Sequence, residues 1–146
     1  MRAPAQVRLE RLQKLIQNLN EEAQEGSVIV VEGIRDKKSL ESMGITGRIL
    51  CIQNSRRSTF SFAEQLSEKK VIVLTDFDRQ GVFLANRLAR LLNSQRIHAN
   101  LVLWRELRGL TRSELRSIEE LPRLHERLQA EVQLHRSAVD GSRRRS

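Results

Sequence analysis

Two short runs, VIVV (Val28 to Val31) and VIVL (Val71 to Leu74), constrain this chain more than any other feature. Each is wholly apolar and largely β-branched, with no polar position to turn toward water. A strand of that kind is stable only when both of its faces are covered, as in the middle of a parallel sheet flanked by helices. Both runs stop abruptly at acids, Glu32-Gly33 after the first and Thr75-Asp76 after the second.

The segments between them change period. From Val7 the apolar positions Leu12, Leu15, Ile16, Leu19 and Ala23 follow helical spacing, and Gly26 suits a residue just past a helix end. A short helix is expected from Lys37 to Met43, a second strand over Ile49 to Ile52, and a helix over Phe60 to Ser67. Val82, Leu84, Ala85, Leu88, Leu91 and Leu92 pattern a further helix. Leu101 to Leu103, extended by Ala99 and Trp104, reads as a fourth strand with Trp104 anchoring the sheet edge. Thr111 and Glu114 have capping-box spacing ahead of Leu115 and Ile118, and Pro122 should break that helix before a last one through Leu124, Leu128 and Val132. The expected organisation is an N-terminal helix over 1–26, an α/β core over 27–110, a helical extension over 111–139 and a disordered basic tail over 140–146. Strands alternating with helices imply a doubly wound, four-stranded parallel sheet with helices on both faces.

Composition narrows the function classes. The chain has 146 residues, 39% hydrophobic and 30% charged, enough for one core without staples. The apolar runs are too short to span a bilayer, no signal-peptide pattern opens the chain, and the single cysteine, Cys51, has no disulfide partner. A cytoplasmic location without membrane attachment follows as the expectation. A net charge of +8 favours polyanionic partners, nucleic acid above all, with salt-dependent affinity.

Glu32, Asp76 and Asp78 lie where open α/β sheets place their sites, beyond the carboxyl ends of strands. If the first and third strands are neighbours, these acids share one crevice. Clustered carboxylates repel unless a cation neutralises them, and an all-oxygen donor set selects Mg2+ or Mn2+. The bland alternative is that such acids only cap the helices that follow.

The segment VIVVEGIRDKKSL resembles the first Toprim motif, a hydrophobic strand ending in Glu-Gly with an Asp shortly after, and VIVLTDFDRQGVFLANRL is similar to the second, a strand running into Asp-x-Asp with a following Gly. Toprim domains occur in topoisomerases, bacterial-type primases, OLD-family nucleases, RecR recombination proteins and the ribonuclease that matures bacterial 5S ribosomal RNA. The likeness is greatest to small stand-alone archaeal Toprim proteins related to that ribonuclease, in which a stretch like Ser117 to Pro122 also follows the core. The resemblance implies that Glu32 is a metal ligand or acid/base and that Asp76 and Asp78 hold the metal. Gly33 and Gly81 match small residues that permit close approach. Asp36 matches an acid that many members lack. Val82 stands where topoisomerases carry another acid, a departure that counts against their strand chemistry.

Phosphoryl transfer is the chemistry so implied, with Arg35, Lys37, Lys38, Arg56, Arg57 and Arg79 on the rim to steady a phosphate backbone. A chain without tyrosine cannot form the phosphotyrosine link of a topoisomerase by itself, and no zinc motif supports a primase. No GxxxxGK[ST] loop is present, and no strand followed by lysine completes a receiver domain after Trp104. Phe60 and Phe62 suit helix packing better than base stacking, and His98, His125 and His135 suit surfaces better than a catalytic base. The expectation is a Mg2+-dependent nuclease acting on structured RNA rather than DNA, with room for a protein partner; the alternative is a non-catalytic Toprim-fold module that binds nucleic acid or assembles a complex.

Overall fold

The protein is described by a computed structural model covering residues 3–53, 58–111 and 114–144. The first apolar run forms β1 (Val28–Val31) and the second lies in β3 (Lys70–Leu74). All four β1 residues and Val71 to Leu74 are at most 1% exposed, the double-sided burial their composition demands. Each such aliphatic side chain contributes roughly 1.5–3 kcal/mol when fully buried. The two strands pair directly and in parallel, Val28 opposite Val71 and Val31 opposite Leu74. With β2 (Ile49–Cys51) beside β1 and β4 (His98–Asn100) beside β3, the sheet order is β2-β1-β3-β4, all parallel. The chain therefore reverses its winding between β1 and β3, which is the switch point where such sheets bind ligands.

Among the described residues six α-helices cover the sheet: α1 (Ala5–Gln24), α2 (Ile34–Ser42), α3 (Thr59–Glu64), α4 (Arg79–Ser94), α5 (Val102–Thr111) and α6 (Leu121–Arg144). Among them α3 packs on α4, while α1 packs on α5 and α6 and α2 on α6. The N-terminal helix and the C-terminal extension are thus one layer. A buried ion cluster ties them: Arg8, only 7% exposed, pairs with Glu114, which also pairs with Arg127 of α6, and the Arg8 guanidinium donates to the Leu110 carbonyl at 3.3 Å. No helix among the described residues is long and apolar enough to cross a membrane.

The second half differs from the sequence expectation in three places. Leu101 to Trp104 is not the fourth strand; β4 is the preceding, more polar His98–Asn100, and the apolar run belongs to α5. An edge strand pairs on one side only, so it lacks the all-apolar signature, whereas Leu103, Trp104, Leu107 and Thr111 are the buried stripe of a helix. Trp104 still anchors the sheet, from that helix, by donating from Nε1 to the Thr75 carbonyl at 2.8 Å. The Thr111–Glu114 pair is not a capping box: Thr111 closes α5 and Glu114 is the hub of the ion cluster. The reciprocal cap lies at Ser117, where Glu120 Oε2 accepts from the N–H groups of Arg116 (2.7 Å) and Ser117 (3.0 Å) around a 3-10 turn, Ile118–Glu120. Pro122 sits in the first turn of α6, where its missing N–H costs nothing, and α6 continues as helix through Arg144 rather than fraying at Asp140.

The turn from β3 into α4 is locked by contact with Gly81. A Cβ on Gly81 would stand 2.0 Å from the Asp76 carbonyl oxygen, and the Gly81 carbonyl accepts from Thr75 Oγ1 at 2.7 Å. Only glycine lets the helix approach the strand end this closely. Gly33 differs, because its backbone is extended and an added Cβ would meet only the movable Gln53 side chain at 2.8 Å. Gly81→Ala should therefore lower unfolding free energy by about 3 kcal/mol or more in urea titration, and Gly33→Ala by less than about 1 kcal/mol. Equal losses at both positions would refute this account of the turn.

Candidate functional site

Pairing of β1 with β3 sets Glu32 and Asp76 side by side, since each follows its strand within two residues. Glu32 Oε2 accepts the Asp76 backbone N–H at 2.6 Å, which fixes the glutamate across the switch point. The two carboxyl groups come close enough to share a hydrogen bond when one is protonated. Burial, then the charge of Glu32, then that shared hydrogen bond push the Asp76 pKa up to about 7, with Asp78 adding a smaller push. The N–H of Ile118 opposes the shift by donating to Asp76 Oδ1 at 3.3 Å.

Asp36 forms a second layer behind this pair. It is buried, and its Oδ2 accepts the Gly33 N–H at 3.0 Å, capping the start of α2. Its Oδ1 accepts the Glu119 N–H at 3.1 Å, joining α2 to the 3-10 turn. Burial and then the charge of Asp76 raise its pKa to about 6, against the pull of those two N–H donors. The backbone of Ile118 and Glu119 thus grips both aspartates, a contribution from the C-terminal extension that strand-end motifs alone do not disclose. The hint available in the sequence was the acid-rich Ser117 to Pro122 stretch.

Asp78 behaves differently from its motif partners. It is exposed and serves as N-cap of α4, its Oδ1 accepting the Gly81 N–H at 2.7 Å. The bland capping role thus holds for this residue, while Glu32 and Asp76 carry no such duty. Among the described residues no group of three or more His, Cys, Asp or Glu side chains is gathered closely enough to cage a metal. What the fold assembles is a carboxyl pair, Glu32 with Asp76, flanked by Asp78 on one side and Asp36 on the other. That set still suits Mg2+, an ion that commonly takes one or two carboxylates and fills its remaining positions with water and phosphate oxygens.

The expected basic rim is divided among separate clefts. Arg35 lines one with Lys38, Ser39 and Arg123 beside the 3-10 turn. Lys37 faces the β2 edge with Arg48 and Cys51. Arg79 alone shares a cleft with one of the motif acids, Asp78, in a cavity of about 760 Å³ that also receives Arg105, Arg108 and Arg116. Arg56 and Arg57 lie outside the described residues. Arg105, Arg108 and Arg116 are not among the expected site residues, because the sequence pattern over their segment predicts a strand followed by a capped helix, which scatters them. Asn100, whose Oδ1 accepts the Val102 N–H at 2.8 Å, was the helix-start signal that would have placed them.

Comparison with known proteins agrees with this geometry. A family model of the Toprim domain matches residues 27–102. A UPF0292 protein of Methanosarcina acetivorans is 37% identical over 116 residues, covering 78% of this chain and 79% of its own. Another from Thermococcus kodakarensis is 34% identical over 118 residues, covering 81% and 86% respectively. A solved structure of a protein from Aquifex aeolicus superposes with a TM-score of 0.59 at 27% identity, covering 73% of this chain and 94% of that one. The chain belongs to the Toprim domain family, alongside the archaeal UPF0292 proteins.

Proposed function

We propose that this chain is a Mg2+-dependent cytosolic nuclease that cleaves structured RNA. The observation that carries the reading is the Glu32–Asp76 pair, two half-buried carboxyl groups held against each other at the switch point by a 2.6 Å backbone hydrogen bond. Without a cation this juxtaposition is unfavourable, and protonation near neutrality is the only other relief. Glu32 and Asp76 would hold Mg2+, or Mn2+ in its place, with Asp78 at the outer edge of the site. When bound, the ion supplies charge neutralisation at a phosphoryl oxygen and a more acidic water. The chain's own groups do the rest. Asp76 N–H fixes Glu32, Ile118 N–H orients Asp76, and the arginines beside Asp78 attract a phosphate backbone. The preference for RNA rests on the resemblance, read from the sequence, to small archaeal Toprim proteins related to the 5S ribosomal RNA maturase.

The capping duty of Asp78 favours a second reading, a non-catalytic Toprim module that binds nucleic acid or joins a complex. Incubation with structured RNAs and duplex DNA, in Mg2+ or in chelator, separates the two. Cleavage that requires Mg2+ and falls about 100-fold or more in Asp76→Asn supports the nuclease. Tight binding with no cleavage by the wild type removes the nuclease and leaves the module.

The acid pair also fixes a pH dependence. Asp76 and Asp36 have folded pKa values of about 7 and about 6, above the ordinary 3.8, so the folded chain binds these protons more tightly than the unfolded one. Their contribution to stability is full below about pH 4 and is lost as pH rises through 6 and 7. The melting temperature of the metal-free protein should drop between about pH 5 and pH 8, and millimolar Mg2+ should restore it at the higher pH far more than at the lower. Asp76→Asn should flatten that drop and abolish the Mg2+ effect. A wild-type melting temperature indifferent to Mg2+ at both pH values would remove the metal from this site.

A further inference from the structure

Four guanidinium groups, those of Arg79, Arg105, Arg108 and Arg116, line the cleft that opens beside Asp78. They arrive from three segments: the first turn of α4, one side of α5, and the bend that precedes the 3-10 turn. Two are held in place by the fold. Arg108 lies 5.8 Å from the ring centroid of buried Trp104 and reaches the Phe77 carbonyl with Nε at 3.5 Å. The backbone of Arg116 is fixed by its carbonyl, which accepts the Phe77 N–H at 2.7 Å, and by its N–H on Glu120.

Among the described residues none of the four has a carboxylate partner within ion-pair distance, whereas Arg8, Arg48 and Arg127 all do. Four exposed cations around one cleft, faced by a single carboxylate, Asp78, carry a modest, solvent-screened repulsion. A polyanion relieves that repulsion. The volume, about 760 Å³, exceeds what one phosphate needs and falls in the range of nucleotide-sized sites. Partly buried Leu115 gives its wall some apolar surface, and Gly109 adds no side chain to obstruct it.

We infer that this cleft is the track for the phosphodiester strand that flanks the cleaved phosphate, so that substrate leaves the acid crevice between α4 and α5. The inference rests on the nuclease reading above and adds to it the direction of the strand and the residues that grip it. Arg105 and Arg116 contribute through charge and not through packing, since both are exposed.

The test is fluorescence anisotropy of a labelled RNA hairpin with a single-stranded extension, bound to the full chain in Ca2+ and titrated with KCl. Arg105→Gln/Arg116→Gln should weaken binding about 10-fold or more and reduce the slope of log affinity against log salt by about 2. Arg90→Gln, about three turns down α4 from the acids, should change affinity less than about twofold. Unaltered melting temperatures exclude unfolding as the cause. If the double variant binds RNA as tightly as wild type with the same salt slope, the cleft is not the track, while Mg2+-dependent cleavage by the wild type still upholds the nuclease. If the wild type neither binds nor cuts RNA or DNA, the nuclease reading fails and takes the track with it. Saturation by a nucleoside triphosphate that RNA does not displace would make the cleft a small-molecule site and overturn the inference.

Discussion

The repulsion between Glu32 and Asp76 organises the surroundings of this sheet. Parallel pairing of β1 with β3 leaves the two carboxyl groups no room to separate. The backbone answers with donors: Asp76 N–H on Glu32, Ile118 N–H on Asp76, Gly33 and Glu119 N–H on Asp36. Each donor favours the charged form, yet burial and mutual repulsion still leave both aspartates with raised pKa values. A fold selected for stability alone would have relieved that conflict with one neutral side chain. Its persistence, held by three separate segments, is the physical reason to look for a cation there.

The C-terminal extension is therefore part of the site and not an appendage. Its 3-10 turn supplies two of the four donors, and its position depends on the Arg8–Glu114–Arg127 cluster that binds α1 to α6. Removing one member of such a buried cluster leaves uncompensated charge and is strongly destabilising. The turn is also fastened from the other side, where Phe77 N–H meets the Arg116 carbonyl. Strand ends, 3-10 turn and ion cluster thus form one mechanical path from the acids to the far layer of helices.

Legibility in the sequence followed the strength of the local constraint. The double-sided strands β1 and β3 announced themselves, because only one environment suits four consecutive buried aliphatics. Their neighbour relation, on which the shared crevice depended, stayed a condition in the sequence and is supplied by the fold, where β1 pairs with β3. At β4 the argument failed for a matching reason. An edge strand of His98, Ala99 and Asn100 has too little buried surface to show a pattern, and the apolar stretch after it was free to be claimed as strand or helix. Spacing was equally ambiguous at Thr111 and Glu114, since a capping box and a buried ion-pair hub look identical as letters. Asp78 was read for its motif position, but whether an acid caps a helix or faces a ligand is settled by a rotation that no sequence records.

On the proposed nuclease reading, charge distribution separates delivery of the strand from the groups that would act on it. The excess of 26 basic over 18 acidic residues is not spread evenly in effect, because Arg8, Arg48 and Arg127 are matched by carboxylates, whereas among the described residues the four arginines around Asp78 have no ion-pair partner. Among the described residues, negative groups gather at the β1–β3 junction, and positive groups without an ion-pair partner gather at the mouth of α4 and α5. A phosphate chain entering by the positive side meets the acid pair only after its own charge has been partly matched, so the attraction that delivers the strand need not come from the groups that act on it. Because delivery is electrostatic and salt-screened whereas the acid pair is half-buried, ionic strength should govern the first far more than the second. Val82, where topoisomerases carry an acid, packs against the hydrophobic core and adds no carboxylate to the acid pair and its two flanking aspartates.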